Sequence, residues 1–203
     1  MIDELAVEVR LAARLRAERE ARGWTLADLA ARSGVSRAMV SKVERGEASP
    51  TATLLGRLSA AFGLTLSQLF ARMESGGQVA RASKQPAWHD PETGFLRRSL
   101  SPPGSAPMEL VWSELPPGAE VAYPAAAYAF IADQQVVLLD GALIIVQGGV
   151  AHELAPGDCL RFGPPQDTVF RNPGAVPCCY LVAVLRAADS PGAHRARATA
   201  DSG

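Results

Sequence analysis

The residues with the clearest chemical role lie between Ser36 and Gly46, where the sequence reads Ser-Arg-Ala-Met-Val-Ser-Lys-Val-Glu-Arg-Gly. As a helix, this segment has an apolar stripe at Val40 and Val43. Ser36 can cap the helix by accepting a bond from a free backbone N–H, and Gly46 can take the left-handed conformation that ends it. A helix that exposes small and basic side chains near its N-terminus can enter the DNA major groove. The segment therefore predicts DNA recognition through the stripe opposite the apolar one, which holds Arg37, Ser41, Lys42 and Arg45.

The segment before it predicts a partner helix. Thr25 and Asp28 have the spacing of a capping box, which opens a helix over 26–32. The tight turn Ser33-Gly34-Val35 then leads into the Ser36 helix, so that helix, glycine turn and second helix follow at helix-turn-helix spacing. Three further helical patterns surround this pair, at 7–22, 53–61 and 65–71.

Residues 8–71 resemble the lambda-repressor-like (xenobiotic-response-element type) helix-turn-helix family. A generic amphipathic bundle, the alternative, would rarely place all the matching residues in order. The resemblance implies that Arg37, Ala38 and Lys42 occupy base-reading positions, that Thr25 and Arg45 hold the phosphate backbone, and that Arg19 pairs with Glu44. The predicted DNA-binding residues are Thr25, Ser36, Arg37, Ala38, Ser41, Lys42 and Arg45. The residues that carry the match are Arg19, Gly23, Trp24, Thr25, Leu29, Ala30, Gly34, Val35, Ser36, Val40, Ser41, Glu44, Arg45, Gly46, Pro50, Leu54, Leu58, Ala61, Gly63, Leu69 and Phe70.

Composition predicts a globular protein of one or two domains, with 203 residues, 48% hydrophobic and 20% charged. There is no apolar run of about 18 residues that would predict a membrane span. The acidic N-terminus lacks the apolar core of a signal peptide, so we expect a cytoplasmic protein. The three cysteines, Cys159, Cys178 and Cys179, are odd in number and do not predict a disulfide framework. They are interpreted as buried thiols, with a redox or metal role as the alternative.

The net charge of −1 conceals an asymmetry between the two halves. Residues 10–72 carry 11 Arg and Lys against 5 Asp and Glu, whereas residues 90–185 carry 4 against 10. A basic first half joined to an acidic second half fits DNA binding confined to the first. A solvated surface of mixed sign is the alternative explanation.

The second half changes to short β-branched and aromatic segments separated by turn signals such as Asp140-Gly141 and Pro156-Gly157-Asp158. This pattern predicts a sandwich or barrel. Residues 108–185 resemble the cupin double-stranded β-helix, through Pro117-Gly118-Ala119, the run 137–141, Gly148-Gly149, the run 154–158 and Asn172. The predicted fold is a two-domain α plus all-β protein: a five-helix helix-turn-helix bundle (8–74), a linker (75–87), a cupin barrel (88–186) and a disordered tail (187–203). Segment 88–107 is expected to add strands that extend the barrel or pair subunits.

The resemblance also predicts that the barrel lacks the metal site found in metal-binding cupins. Their Glu position falls at Gln134 and their last His position at Thr168. Their paired His positions fall at Pro124 and Ala126 in one register, or at Tyr128 and Phe130 in the other. None of these is an imidazole or a carboxylate, so we expect no metal, no cofactor and no enzyme activity. His152 is interpreted as a surface residue, His89 lies at the linker edge and His194 lies in the tail.

The remaining expectation is a pocket inside the barrel. Positions 124, 126, 128 and 130 are interpreted as one inward-facing side of a strand. The predicted pocket residues are Tyr128, Phe130, Gln134, Phe162, Thr168, Phe170 and Tyr180. The expected ligand is a small, mainly apolar molecule, because no Arg or Lys is assigned inward and Arg171 should face out. The alternative is a barrel simply filled by these side chains.

These observations favour a dimeric transcription regulator that binds a double-stranded DNA operator and responds to a small molecule in a metal-free barrel. Two alternatives remain open. One is an atypical or metal-independent cupin enzyme fused to a DNA-binding head. The other is an antitoxin-like DNA-binding protein whose barrel serves only for dimerisation.

Overall fold

Five helices form the first part of the chain, as the sequence predicted. The computed structural model describes residues 4–70, 78–102 and 106–187. None of the helices in these ranges is long and apolar enough to cross a membrane. The helices of this bundle, called the head below, are α1 (Glu4–Glu20), α2 (Leu26–Ser33), α3 (Arg37–Glu44), α4 (Ala52–Phe62) and α5 (Leu66–Phe70).

The boundaries of α2 and α3 follow from their capping residues. Thr25 accepts a hydrogen bond from the Asp28 N–H while the Asp28 carboxylate accepts one from the Thr25 N–H, which is the predicted capping box. Gly34 then ends α2 in the left-handed conformation, with φ of +67°. Because only glycine adopts this conformation without strain, the turn between the two helices is fixed at this residue.

Ten strands form the second part, called the barrel below. They are β1 (Ala87–His89), β2 (Leu96–Ser99), β3 (Met108–Leu115), β4 (Glu120–Tyr123), β5 (Ile131–Asp140), β6 (Leu143–Gln147), β7 (Val150–Leu154), β8 (Cys159–Arg161), β9 (Thr168–Arg171) and β10 (Cys178–Arg186).

The strands form two antiparallel sheets with the core between them. The larger sheet has the order β1-β2-β3-β10-β5-β8 and the smaller has the order β4-β9-β6-β7. Side chains alternate between the core and the outer surface along the long strands, as in β3, where Val111, Ser113 and Leu115 are buried. The architecture is the predicted helical bundle followed by a cupin barrel. Segment 88–107 adds β1 and β2 to the larger sheet, so it extends the barrel as expected.

Three details differ from the sequence predictions. Residues 124–130 are not a strand, because Ala125–Tyr128 forms a 3₁₀ turn after Pro124, and the parity argument for this segment was therefore wrong. Cys159 is exposed because it lies on the edge strand β8, whereas Cys178 is buried. The predicted linker 75–87 lies partly outside the described residues, and its described end contains a 3₁₀ turn at Ala82–Lys84. Residues 188–203 of the predicted tail are also outside the described residues.

The head packs directly against one end of the barrel through α4 and α5. The Ala52 N–H, at the start of α4, donates to the buried Asp90 carboxylate at 2.6 Å. Phe70 stacks on Trp88 with ring centroids 5.8 Å apart. These contacts join the two domains across a continuous interface that the sequence did not predict.

Two polar contacts and one close approach extend this interface. Thr65 Oγ1 donates to Glu109 Oε2 at 2.7 Å, and Arg97 Nη2 donates to Ser67 Oγ at 2.9 Å. A Cβ atom at Gly56 would lie 2.7 Å from the Tyr123 ring, so α4 approaches the barrel more closely than any larger residue permits.

Candidate nucleic-acid interface and ligand cavity

Helix α3 presents one side to the protein core and the other to the surface. Val40 and Val43 are buried in the head, as predicted. Ser36 accepts a hydrogen bond from the Met39 N–H at 3.2 Å, and Gly46 has φ of +70° just beyond the helix. Capping at both ends fixes this short helix, which would be marginal by itself.

The surface side of α3 carries the residues that the sequence assigned to DNA. Arg37, Ala38 and Lys42 are exposed, and Ser41 is half-buried behind them. Met39, which the sequence reasoning did not select, is exposed beside them. The N-terminal turn of α3 therefore offers small, apolar and cationic groups together, the set that contacts base edges in a major groove.

The two residues assigned to the phosphate backbone make local contacts in the free protein. Arg45 pairs with Glu47 at 2.6 Å and also contacts the Ser41 hydroxyl. The Thr25 hydroxyl belongs to the α2 capping box, and its hydrogen bond holds the pKa of Asp28 below its usual value. Both Thr25 and Arg45 are on the surface. Arg45 would have to exchange its carboxylate for a phosphate oxygen on DNA binding.

The Arg19–Glu44 pair connects α3 to α1. Two parallel hydrogen bonds of 2.8 Å join the guanidinium to both carboxylate oxygens, and Arg19 Nη1 also donates to the Trp24 carbonyl. The side chains are only 13% and 5% exposed. The hydrogen bonds that Arg19 donates to the Glu44 carboxylate raise the pKa of Arg19. This bidentate geometry fixes the orientation of the last turn of α3.

A cavity of about 80 Å³ lies where the head meets the barrel. We call it the junction cavity. Gly56, Ser59, Leu64, Thr65 and Leu66 close it from the head, while the 3₁₀ turn and the inner faces of both sheets form most of the remaining wall. A molecule in this cavity would contact both domains. The barrel residues that line it are Phe95, Arg97, Ser113, Tyr123, Ala127, Tyr128, Ile131, Gln134, Phe170, Tyr180, Val182 and Val184.

Four of the seven predicted pocket residues line this cavity: Tyr128, Gln134, Phe170 and Tyr180. The other three do not. Phe130 is buried elsewhere, Phe162 packs behind the cavity against Tyr128 and Phe170, and the Thr168 hydroxyl donates to the Gln166 carbonyl. These aromatic rings and this hydroxyl support the wall without forming its surface.

The premise that no cation faces inward was wrong. Arg97 lines the junction cavity because it lies on β2 directly opposite Ser113, whose side chain points into the barrel. Arg171 faces out, as predicted, and it forms an ion pair with Glu120. Arg161 is also exposed and pairs with Asp133. The sequence could not locate Arg97, because the register of β2 depends on its pairing with β3.

Polar groups of the cavity wall are left without partners. Among the described residues, Arg97 Nε, Ser113 Oγ and the Tyr128 hydroxyl are shielded from solvent and have no hydrogen-bond partner. Burial lowers the pKa of the Arg97 guanidinium and raises the pKa of the Tyr128 hydroxyl. Thr168 opposes that rise, although it does not satisfy Tyr128 with good hydrogen-bond geometry.

The structure locates the residues that the sequence resemblance aligned with the metal ligands of cupins. Gln134 and Thr168 are buried in the barrel, and Tyr128 ends the 3₁₀ turn. Within the described ranges, no three His, Cys, Asp or Glu side chains come close enough to hold a metal ion. His152 is half-buried on β7 and His89 is exposed, while His194 lies outside the described residues.

Comparison with known proteins bears on both domains. Residues 15–69 match the family model described as helix-turn-helix. The chain carries a lambda-repressor-like helix-turn-helix domain. Over 171 residues it is 27% identical to the HTH-type transcriptional regulator SutR of Escherichia coli K12, a match that covers 81% of this chain and 88% of that protein.

One solved structure has the same fold over most of the chain. An HTH_3 family transcriptional regulator from Vibrio cholerae superimposes with a TM-score of 0.74 and 22% identity, covering 90% of this chain and 98% of that one. The cupin domain of an XRE family transcriptional regulator from Enterobacter cloacae aligns with 45% of this chain and 95% of its own, with 19% identity and a TM-score of 0.41. The helix-turn-helix match, together with the similarity to SutR over most of both chains, makes the chain a transcriptional regulator.

Proposed function

We propose that this regulator binds its DNA operator as a homodimer and that a small molecule in the junction cavity changes its affinity for that operator. The observation that carries the proposal is the exposed, capped and anchored α3. Its apolar side is used by the core, and its cationic side has no protein covering it within the described residues. The proposal assigns no reaction to the barrel and requires no cofactor.

DNA recognition is assigned to the N-terminal turn of α3. Arg37 can donate to guanine O6 and N7, whereas Ala38 and Met39 can contact a thymine methyl group. Lys42 and Arg45 lie further along the helix, where the phosphate backbone passes on leaving the groove. The basic charge of residues 10–72 adds attraction for DNA that does not depend on sequence.

A homodimer is proposed because one short recognition helix reads only about half of a useful site. The outer face of the larger sheet supplies a surface for it. Leu185 and Met108 are cross-strand neighbours there and both are exposed. Leu181, Trp112 and Val137 continue this face as partly exposed side chains on β10, β3 and β5. We call this surface the outer apolar face; a second copy of the chain would bury it.

Regulation is proposed to act through the interface between head and barrel. A ligand can change operator affinity only if it binds two arrangements of the heads unequally. A ligand in the junction cavity would contact both domains, because the wall includes residues of each, and its binding would therefore depend on how the head sits on the barrel. A small displacement of α4 would be passed to α3 through the shared core of the head.

Selection of binding sites from a pool of randomised duplex DNA tests the proposal, using the full chain. We expect an enriched inverted repeat whose half-sites are about 10–10.5 base pairs apart, centre to centre. Arg37→Ala should weaken binding by about 1–3 kcal/mol and relax the preference at one base pair of each half-site. Arg10→Ala, on α1, is the matched control for loss of one surface arginine. Selection that enriches no sequence would contradict the proposal.

A further inference from the structure

The junction cavity contains buried polar groups that the protein does not satisfy. Ser113 is 1% exposed and Tyr128 is 8% exposed. Tyr180 lies close to the Ser113 hydroxyl and Thr168 close to the Tyr128 hydroxyl, but neither neighbour gives a hydrogen bond of good geometry among the described residues. Arg97 adds a guanidinium whose Nε is also shielded and unpartnered. Buried polar groups are normally paired, so three such groups on one cavity indicate a missing partner.

Among the described residues, no carboxylate is in direct contact with the Arg97 guanidinium. Within the described part of the chain, its one hydrogen bond is from Nη2 to the neutral Ser67 hydroxyl, and no carboxylate forms an ion pair with it. Glu109 attracts the guanidinium electrostatically, but its carboxylate forms its ion pair with Arg186 and accepts a hydrogen bond from Thr65. Arg97 is half-buried, and a partly desolvated cation without an ion-pair partner is unfavourable, so an anion in the cavity would relieve that cost.

We propose that the junction cavity binds a small organic monocarboxylate, with its carboxylate held by Arg97 and Ser113. This assignment names the effector class within the proposed function and rests on it. Arg97 and Ser113 are direct cross-strand partners, and Tyr180 is the next residue in the same row. Side chains in such a row lie about 5 Å apart, which suits two donors that share one carboxylate. Tyr128 approaches from the 3₁₀ turn and can donate to the second oxygen.

The rest of the wall selects for a short apolar tail. Phe95, Ile131, Val182 and Val184 are apolar residues of the same cavity. The volume of about 80 Å³ is roughly half that of a cavity known to hold benzene, which is about 150 Å³. Propionate and butyrate therefore suit the space. With one guanidinium available, a dicarboxylate would leave its second charge unpaired.

Carboxylate binding would also act on the contact between the domains. The Arg97–Ser67 hydrogen bond reaches from β2 to α5 of the head. A carboxylate that draws the guanidinium toward Ser113 competes directly with that bond. The ligand thus has a physical route by which to favour one head arrangement over another.

The test is thermal unfolding and calorimetric titration of the full chain without DNA, using acetate, propionate and butyrate. Propionamide, butyramide and inorganic phosphate are the comparison ligands. We expect propionate and butyrate to raise Tm by about 3 °C or more near saturation, and the amides to leave it unchanged. Equal effects of amide and carboxylate would overturn the assignment, as would a response to phosphate alone or no response to any carboxylate.

Two arginine variants separate ligand binding from a structural role. Arg97→Met should weaken propionate binding at least about tenfold without lowering the Tm of the free protein, because it removes a partly desolvated charge that forms no ion pair. Arg98→Met is the matched control, since Arg98 follows on β2, points to the outer face and stacks over Trp112. A purely structural role predicts the opposite: Arg97→Met lowers Tm and the propionate response persists. That result would overturn the proposal.

A second pair of variants tests the hydroxyl donors even if Arg97→Met does not fold. Ser113→Ala and Tyr128→Phe should each weaken propionate binding about fivefold. Unchanged binding in both would contradict the assigned pose. Because these experiments contain no DNA, a negative result would not contradict the proposed operator binding. A negative result in the site selection would likewise not contradict carboxylate binding.

Discussion

At the residue scale, the position of the DNA-reading surface depends on one ion pair. Arg19 holds Glu44 with two hydrogen bonds of 2.8 Å, and it holds the carbonyl before Thr25 with a third. The same guanidinium thus fixes the end of α3 and the start of α2. The resemblance predicted this pairing from two residue positions, and the structure confirms it.

Removing Glu44 should leave a largely buried guanidinium without its counter-charge. Breaking a buried ion pair costs about 3–5 kcal/mol. We expect the loss in the free energy of unfolding for Glu44→Ala to lie near the lower end of that range, because Arg19 keeps some exposure. Glu47→Ala is the matched control, since Glu47 forms an exposed pair with Arg45 and should change stability little. Urea denaturation measures the free energy of unfolding of both variants. Equal, small losses would show that the Arg19–Glu44 pair does not hold α3 against α1.

Residue identity alone could predict the DNA-facing side but not the cavity wall. Val40 and Val43 mark the buried side of α3 in the sequence, so the exposed side follows from helix periodicity. No sequence periodicity indicates which way the Arg97 side chain points. Its inward direction comes from pairing with Ser113 across two strands, which is a long-range feature of the fold.

At the scale of elements, α4 is the contact between the two domains. Its first turn donates to Asp90 of the barrel, and its middle passes over the Tyr123 ring at Gly56. The strand and helix patterns predicted both elements separately. Their packing was not predictable, because no local periodicity records which surface of a helix covers the end of a barrel.

A methyl group at Gly56 should force α4 away from the barrel. The added Cβ would lie 2.7 Å from the Tyr123 ring, so we expect Gly56→Ala to destabilise the protein by about 1–3 kcal/mol. Gly163→Ala is the matched control, because its nearest side-chain atom would be 3.9 Å away and its stability should change by less than about 0.5 kcal/mol. Urea unfolding curves that coincide for the two variants would contradict the packing of α4 on the barrel.

A charge on the outer apolar face should separate the subunits. Leu185→Glu places a carboxylate on this face beside Met108, where burial by a second copy would leave it unpaired. We expect a monomer by light scattering at micromolar concentration. Val150→Glu is the control on the smaller sheet, at a residue that is also exposed, and it should remain dimeric. A dimeric Leu185→Glu protein would show that the outer apolar face is not the dimer interface.

At the scale of the whole molecule, the chain combines a basic helical head with an acidic barrel, and the junction cavity lies where they meet. The sequence predicted the two folds, their order and the charge contrast, since these follow from local patterns and composition. The junction emerges only when residues about 40 positions apart, such as Ala52 and Asp90, come into contact. The proposed regulation belongs to this scale, because it requires a cavity that both domains line.

The most direct test of a dimer that reads two half-sites is the dependence of affinity on their spacing. Five base pairs inserted between the half-sites of the selected operator turn one of them to the opposite side of the duplex, about half a helical turn away. The full chain should then bind only as well as it binds a single half-site, as measured by fluorescence anisotropy at fixed salt. Affinity for the spaced operator equal to that for the original operator would contradict the account.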